Sequence, residues 1–221
     1  MKRALIIGAS GGIGQALGSA LRNQGAEVVG LSRSQDGLDI RDEASIAAAL
    51  EPLSGQFDLI LNVTGALEID GMGPEKAIRD VDADRLHAQF ETNALGPMLV
   101  LKHALRLMPR DRRTVFAALS ARVGSIGDNR LGGWYSYRAA KAALNQLIHT
   151  AAIEVARTHK QAICAVLHPG TVQTALTKKY VGDNPAVPPE ESAANLLAVI
   201  DDLDISQSGG FFDWRGDPVV W

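Results

Sequence analysis

Seven residues, Gly8-Ala9-Ser10-Gly11-Gly12-Ile13-Gly14, leave few folds open to this chain. The apolar run Arg3 to Ile7 leads into them, and a helical pattern from Ile13 to Asn23 leads out. That order reads as a buried strand, a tight turn and a helix opening. Glycines let the backbone turn sharply and approach a pyrophosphate closely, while the free N–H groups of a helix start favour its negative charge. The spacing Gly-x3-Gly-x-Gly differs from the Gly-x-Gly-x-x-Gly dinucleotide fingerprint. Its position after the first strand and before the first helix still matches a dinucleotide site, so Gly8, Ser10, Gly11, Gly12, Ile13 and Gly14 are candidate cofactor contacts.

The rest of the chain repeats the alternation. Strands are predicted at Glu27 to Leu31, Leu38 to Ile40, Phe57 to Leu61, Thr114 to Leu119, Gln161 to Leu167 and, at an edge, Gly210 to Asp213. Helices are predicted over Glu43 to Leu50, over Ala83 to Leu107 with an interruption near Gly96-Pro97, from Tyr137 to about His159, and over Glu190 to Leu203. Such alternation predicts an α/β fold: a single-domain, doubly wound Rossmann-type parallel sheet with helices on both faces. Right-handed crossovers then make the C-terminal strand ends the ligand crevice. No linker divides the 221 residues, so residues 1–221 are expected to form one NAD(P)-binding catalytic domain.

Composition removes several classes of function. With 22 Lys+Arg against 25 Asp+Glu, a net charge of -3 and scattered bases, nothing favours nucleic acid. The one cysteine, Cys164, excludes an internal disulfide framework and a thiolate metal cluster, so no metal site is expected. Residues 1–10 lack a signal-peptide core, and no apolar run approaches ~20 residues, so no membrane span and a cytoplasmic location are expected.

Chemistry enters with Tyr137-Arg138-Ala139-Ala140-Lys141. Positions four apart share a helix face, so a phenol and an ammonium point into one space. A free phenol ionises near pH ~10, and a neighbouring cation favours the phenolate, which makes Tyr137 a candidate general acid or base. Position +4 from Tyr135 is Ala139 and from Tyr180 is Asn184, so only Tyr137 has its lysine. At the end of the second strand, where an acid would meet a ribose hydroxyl, stand Ser32 and Arg33. A donor and a planar cation match a 2′-phosphate, which predicts NADP(H) over NAD(H).

Taken together, the glycine turn, Asn62-Val63-Thr64-Gly65, Asn93, Tyr137-x-x-x-Lys141 and Pro169-Gly170-Thr171-Val172-Gln173-Thr174 resemble the short-chain dehydrogenase/reductase family along nearly the whole chain. Val123 through Asn145 and the Trp221 ending are similar to its C-factor-like and sniffer-like carbonyl reductase branch. The resemblance implies an oxidoreductase that moves hydride between a nicotinamide and a carbonyl or alcohol. Tyr137 would exchange the proton, Lys141 would hold the nicotinamide ribose and depress the tyrosine pKa, and Asn93 would hold a water linking Lys141 to solvent. Asp39 and Ile40 would meet the adenine, Asn62, Val63, Thr64 and Gly65 would lie along the cofactor, and Pro169, Gly170, Thr171, Val172 and Thr174 would contact its nicotinamide end. The family also implies a homodimer or homotetramer, here through helices around Ala94 to Arg106 and Ala139 to Arg157.

One position departs from that pattern. The family's substrate-binding serine, three residues before a glycine, falls on Ala121 when counted back from Gly124. Ser120 is the first replacement to expect, provided the chain has already turned there, because successive strand residues face opposite sides. Ser125 is a second, and backbone or water donors a third. Between Tyr137 and the preceding strand lie Leu131, Gly132, Gly133 and Trp134, and beyond Thr174 the loop from Leu176 to Pro188 offers little apolar surface besides Tyr180 and Val181, which predicts a compact, open pocket for a modest carbonyl compound. The departure also leaves open a signalling or sensing protein that binds cofactor with little turnover. A sugar-nucleotide epimerase ranks last, since only about fifty residues follow Pro169.

Overall fold

Alternating strands and helices close on one parallel sheet. The computed structural model describes residues 1–180 and 185–221, so Val181 and Asn184 lie outside the described residues. The strands are β1 (Arg3–Ile7), β2 (Glu27–Leu31), β3 (Leu59–Asn62), β4 (Thr114–Leu119), β5 (Ala162–His168) and β6 (Phe211–Asp213). They lie in the order β2-β1-β3-β4-β5-β6 with every neighbouring pair parallel. The helices are α1 (Gly12–Asn23), the short α2 (Arg33–Asp36), α3 (Glu43–Leu50), α4 (Ala83–Phe90), α5 (Gly96–Ala104), α6 (Tyr135–Thr158) and α7 (Pro189–Asp202).

The two-residue period of the strands sorts the core into two layers. Ala4 and Ile6 of β1 join Leu17 and Leu21 of α1 and Leu196 and Ile200 of α7 on one face. Leu5 and Ile7 join Ile46 of α3, Val100 and Leu101 of α5, and Leu144 and Ile148 of α6 on the other. Each fully buried Leu or Ile contributes roughly 1.5–3 kcal/mol of transfer free energy, so both layers are needed to hold the sheet flat between them. Because β1 pairs with β2 on one side and β3 on the other, the chain leaves those strand ends in opposite directions. A crevice opens there.

Two local expectations change. Leu38 to Ile40 is not a strand: the Leu38 amide donates to Ser32 O and the Asp39 amide to Ser45 Oγ, which leaves no ladder with β2. Leu38 itself is buried in the core, so the segment is held by its side chain and local bonds. The break in the long helical pattern comes earlier than Gly96-Pro97. Glu91–Leu95 forms a π turn in which the Gly96 amide reaches Glu91 O, and α5 restarts at Gly96. A Cβ at Gly96 would overlap the Ile40 backbone, which explains the glycine there. Among the described residues no helix is long and apolar enough to cross a membrane.

Candidate active site

The glycine turn sits at the crevice. Gly8 has φ +93°, its amide bonds Leu31 O at 2.8 Å, and a Cβ there would meet Thr64 and Val63 at 3.1 Å. Glycine is therefore required both by conformation and by the closeness of the strand ends. Gly14 is packed still more tightly, with Ala9 Cα 3.0 Å from the place of a Cβ. Opposite, Thr174 Cγ2 lies 3.2 Å from the Cβ position of Gly12, which brings the motif after β5 against the turn. Val172 and Val187 bridge in parallel below it. Asn62 ends β3 with its Nδ2 buried and unpartnered, while its Oδ1 accepts from the Thr64 hydroxyl at 2.9 Å. A buried amide donor without a partner, above a cradle that side chains would fill, fits a bound dinucleotide. Ser10, Gly11 and Gly12 are exposed at the same mouth, and Ile13 is half-buried behind them.

Tyr137 and Lys141 occupy successive turns of α6 and are 9 % and 3 % exposed. Lys141 Nζ lies 5.8 Å from the Tyr137 ring centre and donates to Leu119 O at 2.9 Å. The Tyr137 hydroxyl makes no hydrogen bond to any described residue. Gly65 completes the group, because its Cβ position is 3.1 Å from Asn93 Oδ1 and 3.5 Å from Lys141 Nζ. Thus the tyrosine, the lysine, Asn93 and the stretch after β3, predicted separately, converge on one place. Asn93 is wholly buried in the π turn: its side chain pairs with both the amide and the carbonyl of Ala66, at 3.1 and 2.8 Å.

Electrostatics here correct one expectation. Burial pushes the Tyr137 phenol up to about 12, and Lys141 does not pull it down, because burial lowers Lys141 itself to about 7. At neutral pH the phenol is therefore protonated, which suits it to give a proton. The shifts also set a stability profile. Lys141 titrates near 7 when folded and ~10.4 when unfolded, so between those values the unfolded chain binds the extra proton and stability rises with pH. Tyr137 acts oppositely above pH ~10, where the unfolded phenol ionises first and stability falls. We expect wild type to gain up to ~2–3 kcal/mol relative to Lys141→Met between pH ~7 and ~9 in urea titrations without cofactor. Parallel curves for the two proteins would contradict the buried-lysine assignment.

Neither serine stands free. The Ser120 hydroxyl is buried and donates to Asn145 Oδ1 at 2.6 Å, one turn of α6 beyond Lys141. Ser125 donates to Val220 O at 2.5 Å and accepts from the Asp128 amide at 3.1 Å. The structure thus brings Ser120 to the inner face of α6, and among the described residues its hydrogen bond goes to Asn145 rather than to the phenol. Its partner is a consequence of strand alternation: Leu119 faces the α1 and α7 layer, so Ser120 faces α6.

At the end of β2, Ser32 is buried and serves as N-cap of α2, accepting from the Gln35 amide. Asp36 folds back to accept from the Ser32 amide at 2.7 Å and its hydroxyl at 3.2 Å. The strand end is therefore acidic in space although not in sequence, and Ser32 has its bonds already. Arg33 is exposed with no ion pair among the described residues. Asp39 Oδ1 accepts from the Arg41 amide at 2.9 Å, and Ile40 lies against Gly96. Pro169 O accepts from Ser192, Thr171 O accepts from the Val187 amide, and Gly170 turns at φ +78° against the Trp214 indole.

Two residues, Gln89 and Glu75, escaped the sequence reading. Gln89 Oε1 accepts from Asn93 Nδ2 at 2.6 Å, while its own amide holds Leu67 O, so it orients Asn93 from one turn earlier on the helix. That i, i+4 relation was a usable signal. Glu75 binds the start of α6, its carboxylate accepting from the Ser136 amide at 3.2 Å and its carbonyl from the Trp134 amide at 2.6 Å. Trp134 is the N-cap of α6 at φ +53°, a conformation costing roughly 1–2 kcal/mol for a side chain of this kind. No local pattern announces a cap that comes from 61 residues away.

Comparison with known proteins agrees with this geometry. A family model of short-chain dehydrogenases matches residues 2–185. The chain is 29 % identical to 1-hydroxy-2-glutathionyl-2-methyl-3-butene dehydrogenase of Rhodococcus sp. (strain AD45), with all of both chains covered. It is 33 % identical to the C-signal of Myxococcus xanthus over 175 residues, 79 % of this chain and 99 % of that one. Among solved structures, a short-chain dehydrogenase/reductase of Burkholderia multivorans with bound NADP superposes with TM-score 0.84 at 30 % identity, covering 100 % and 99 % of the two chains. The carbonyl reductase Sniffer of D. melanogaster shares the fold, with TM-score 0.85 at 23 % identity over the whole of both chains. With the glycine turn, the tyrosine and lysine on one helix, and a family match over most of its length, the chain belongs to the short-chain dehydrogenase/reductase family of oxidoreductases.

Proposed function

We propose that the protein is an NADP(H)-dependent oxidoreductase that transfers hydride between the nicotinamide and a carbonyl or alcohol, with Tyr137 as general acid or base. One observation carries this reading: the Tyr137 phenol is nearly buried beside Lys141 yet has no hydrogen-bond partner among the described residues. Unlike the sealed Asn62 amide, the phenol oxygen is not closed off from the crevice, so a ligand there can reach it. When bound, the dinucleotide supplies the hydride. The glycine turn, Asn62 to Gly65 and the segment Pro169 to Thr174 hold it along the crevice, and Lys141 stands ready for a ribose hydroxyl. Tyr137 gives its proton to the substrate oxygen. Since Ser120 and Ser125 donate elsewhere, the carbonyl is polarised by Tyr137 and by backbone or water donors near Ala121. The test is consumption of NADPH and NADH with a panel of aldehydes, ketones and glutathione-conjugated carbonyl compounds. Turnover of a carbonyl compound supports the reading.

For cofactor choice, the exposed Arg33 and the NADP-bound Burkholderia multivorans relative favour NADP(H), against the Asp36 carboxylate folded back on Ser32. Arg33→Ala is expected to lose about tenfold or more in kcat/KM with NADPH and little with NADH, because the guanidinium would meet only the 2′-phosphate. An unchanged preference would remove Arg33 from the site.

A second reading follows from Ala121 and from the likeness to the C-signal: a cofactor-binding signalling protein with little turnover. The free phenol weighs against it, because cofactor binding alone needs no proton donor. Assembly as a homodimer or homotetramer through the segments around Ala94 to Arg106 and Ala139 to Arg157 is part of the proposal, and the exposed Leu95 and Ile153 within them support it.

A further inference from the structure

Three aromatic rings run in series from the proposed proton donor to the far lip of the crevice. Trp134 and Tyr137 meet edge to face, with ring centres 6.2 Å apart, and Trp134 and Tyr180 do the same at 5.7 Å. Tyr180 belongs to the segment after β5, and it is fastened across the crevice to the segment after β3. Its hydroxyl donates to Glu68 Oε1 at 2.6 Å, and Lys179 Nζ reaches the same carboxylate at 2.8 Å. The Tyr180 oxygen also lies 2.8 Å from the place of a Cβ at Gly73, so a side chain there would displace the Tyr180 hydroxyl. On the other side, Trp134 is held in its left-handed conformation by Gly132 and Gly133, both at φ +65°, and by the bond from its amide to Glu75 O. A strained, over-determined residue beside a proton donor is a sign of function, since a relaxed N-cap would serve the helix equally well.

We infer that Trp134 and Tyr180 form the wall against which the substituent of the carbonyl carbon stacks, so that the site selects flat, aryl-type carbonyl compounds, with Glu68 fixing the wall by its grip on Tyr180 and Lys179. This rests on the reading of Tyr137 as the group that meets the substrate oxygen. A flat ring set against the Trp134 face gains contact that a puckered ring of equal size does not. Trp134 is thereby a specificity-determining residue.

The matched pair acetophenone and cyclohexyl methyl ketone separates shape from size. With NADPH, the ratio of their kcat/KM values is expected to fall about three- to tenfold in Trp134→Leu, through KM for acetophenone, and to be kept within about twofold in Trp134→Phe. Tyr180→Leu, a change in a half-buried loop, is expected to lower the ratio in the same direction and covers the case in which Trp134→Leu does not fold. An unchanged ratio in a folded Trp134→Leu and in Tyr180→Leu would overturn the inference. Saturation-transfer NMR in the presence of NADPH separates this from the oxidoreductase reading. Acetophenone saturated by wild type but not by the variants, without turnover of either ketone, would keep the wall and reject the reductase. No saturation of acetophenone by wild type and no turnover of it would reject the wall.

Discussion

Tyr137→Phe is expected to lower kcat by about a hundredfold to ten-thousandfold, the range over which a positioned proton donor acts, while NADPH still binds. The phenyl ring keeps its edge contact with Trp134 and its place over Lys141, so the crevice retains its shape. The lost hydroxyl has no partner among the described residues. Its removal therefore leaves no orphan, and the unfolding free energy from urea titration is expected to stay within about 0.5 kcal/mol of wild type or to rise. That combination is diagnostic: a large loss of rate with no loss of stability or cofactor affinity places the hydroxyl in the transition state only. A variant that kept more than a tenth of wild-type turnover would show that another group, or solvent, protonates the substrate.

A second large effect is expected at Gly14→Ala. The added Cβ would overlap Gly8 O and press on Ala9 Cα at 3.0 Å, and both are backbone atoms that no rotamer change can move aside. Overpacking of this kind costs about 1–3 kcal/mol. Its functional cost is larger, because the only relief is to open the turn proposed to cradle the pyrophosphate. Affinity for NADPH is expected to fall at least about tenfold by calorimetry. Gly25→Ala supplies the control. Gly25 also has a left-handed φ of +84°, yet no atom lies near its Cβ position, so that variant loses ~1 kcal/mol of stability and keeps cofactor affinity. Equal loss of affinity in both variants would mean that destabilisation alone accounts for the effect.

The two periods written into this chain explain why so much of it was legible. Alternation of β1 and the helical spacing of α1 locate the two core layers, and the glycines between them locate the crevice. What failed was local and non-periodic. Leu38 to Ile40 reads as strand from its apolar residues, but its fate was decided by Ser32 and Ser45, which took its amides. Asp36 lies five residues past the end of β2, and only the turn of α2 carries its carboxylate back to Ser32. The pairing of Ser120 with Asn145 required knowing which face of β4 meets α6. The sign of the Tyr137 shift depended on burial, a property of packing, whereas spacing alone suggested a phenol lowered by its lysine. Glu75 and Glu68 act across long separations in sequence, where no motif can record them.

The most direct test of the account is the fate of the nicotinamide hydrogen. NADPH deuterated at the transferable position, incubated with purified protein and a carbonyl compound from the panel, should give an alcohol carrying deuterium on the former carbonyl carbon, and Tyr137→Phe should give almost none. An alcohol formed without deuterium would contradict hydride transfer from the cofactor, and NADPH bound tightly by the folded protein while no compound on the panel accepts deuterium would leave the cofactor-binding signalling protein as the better description.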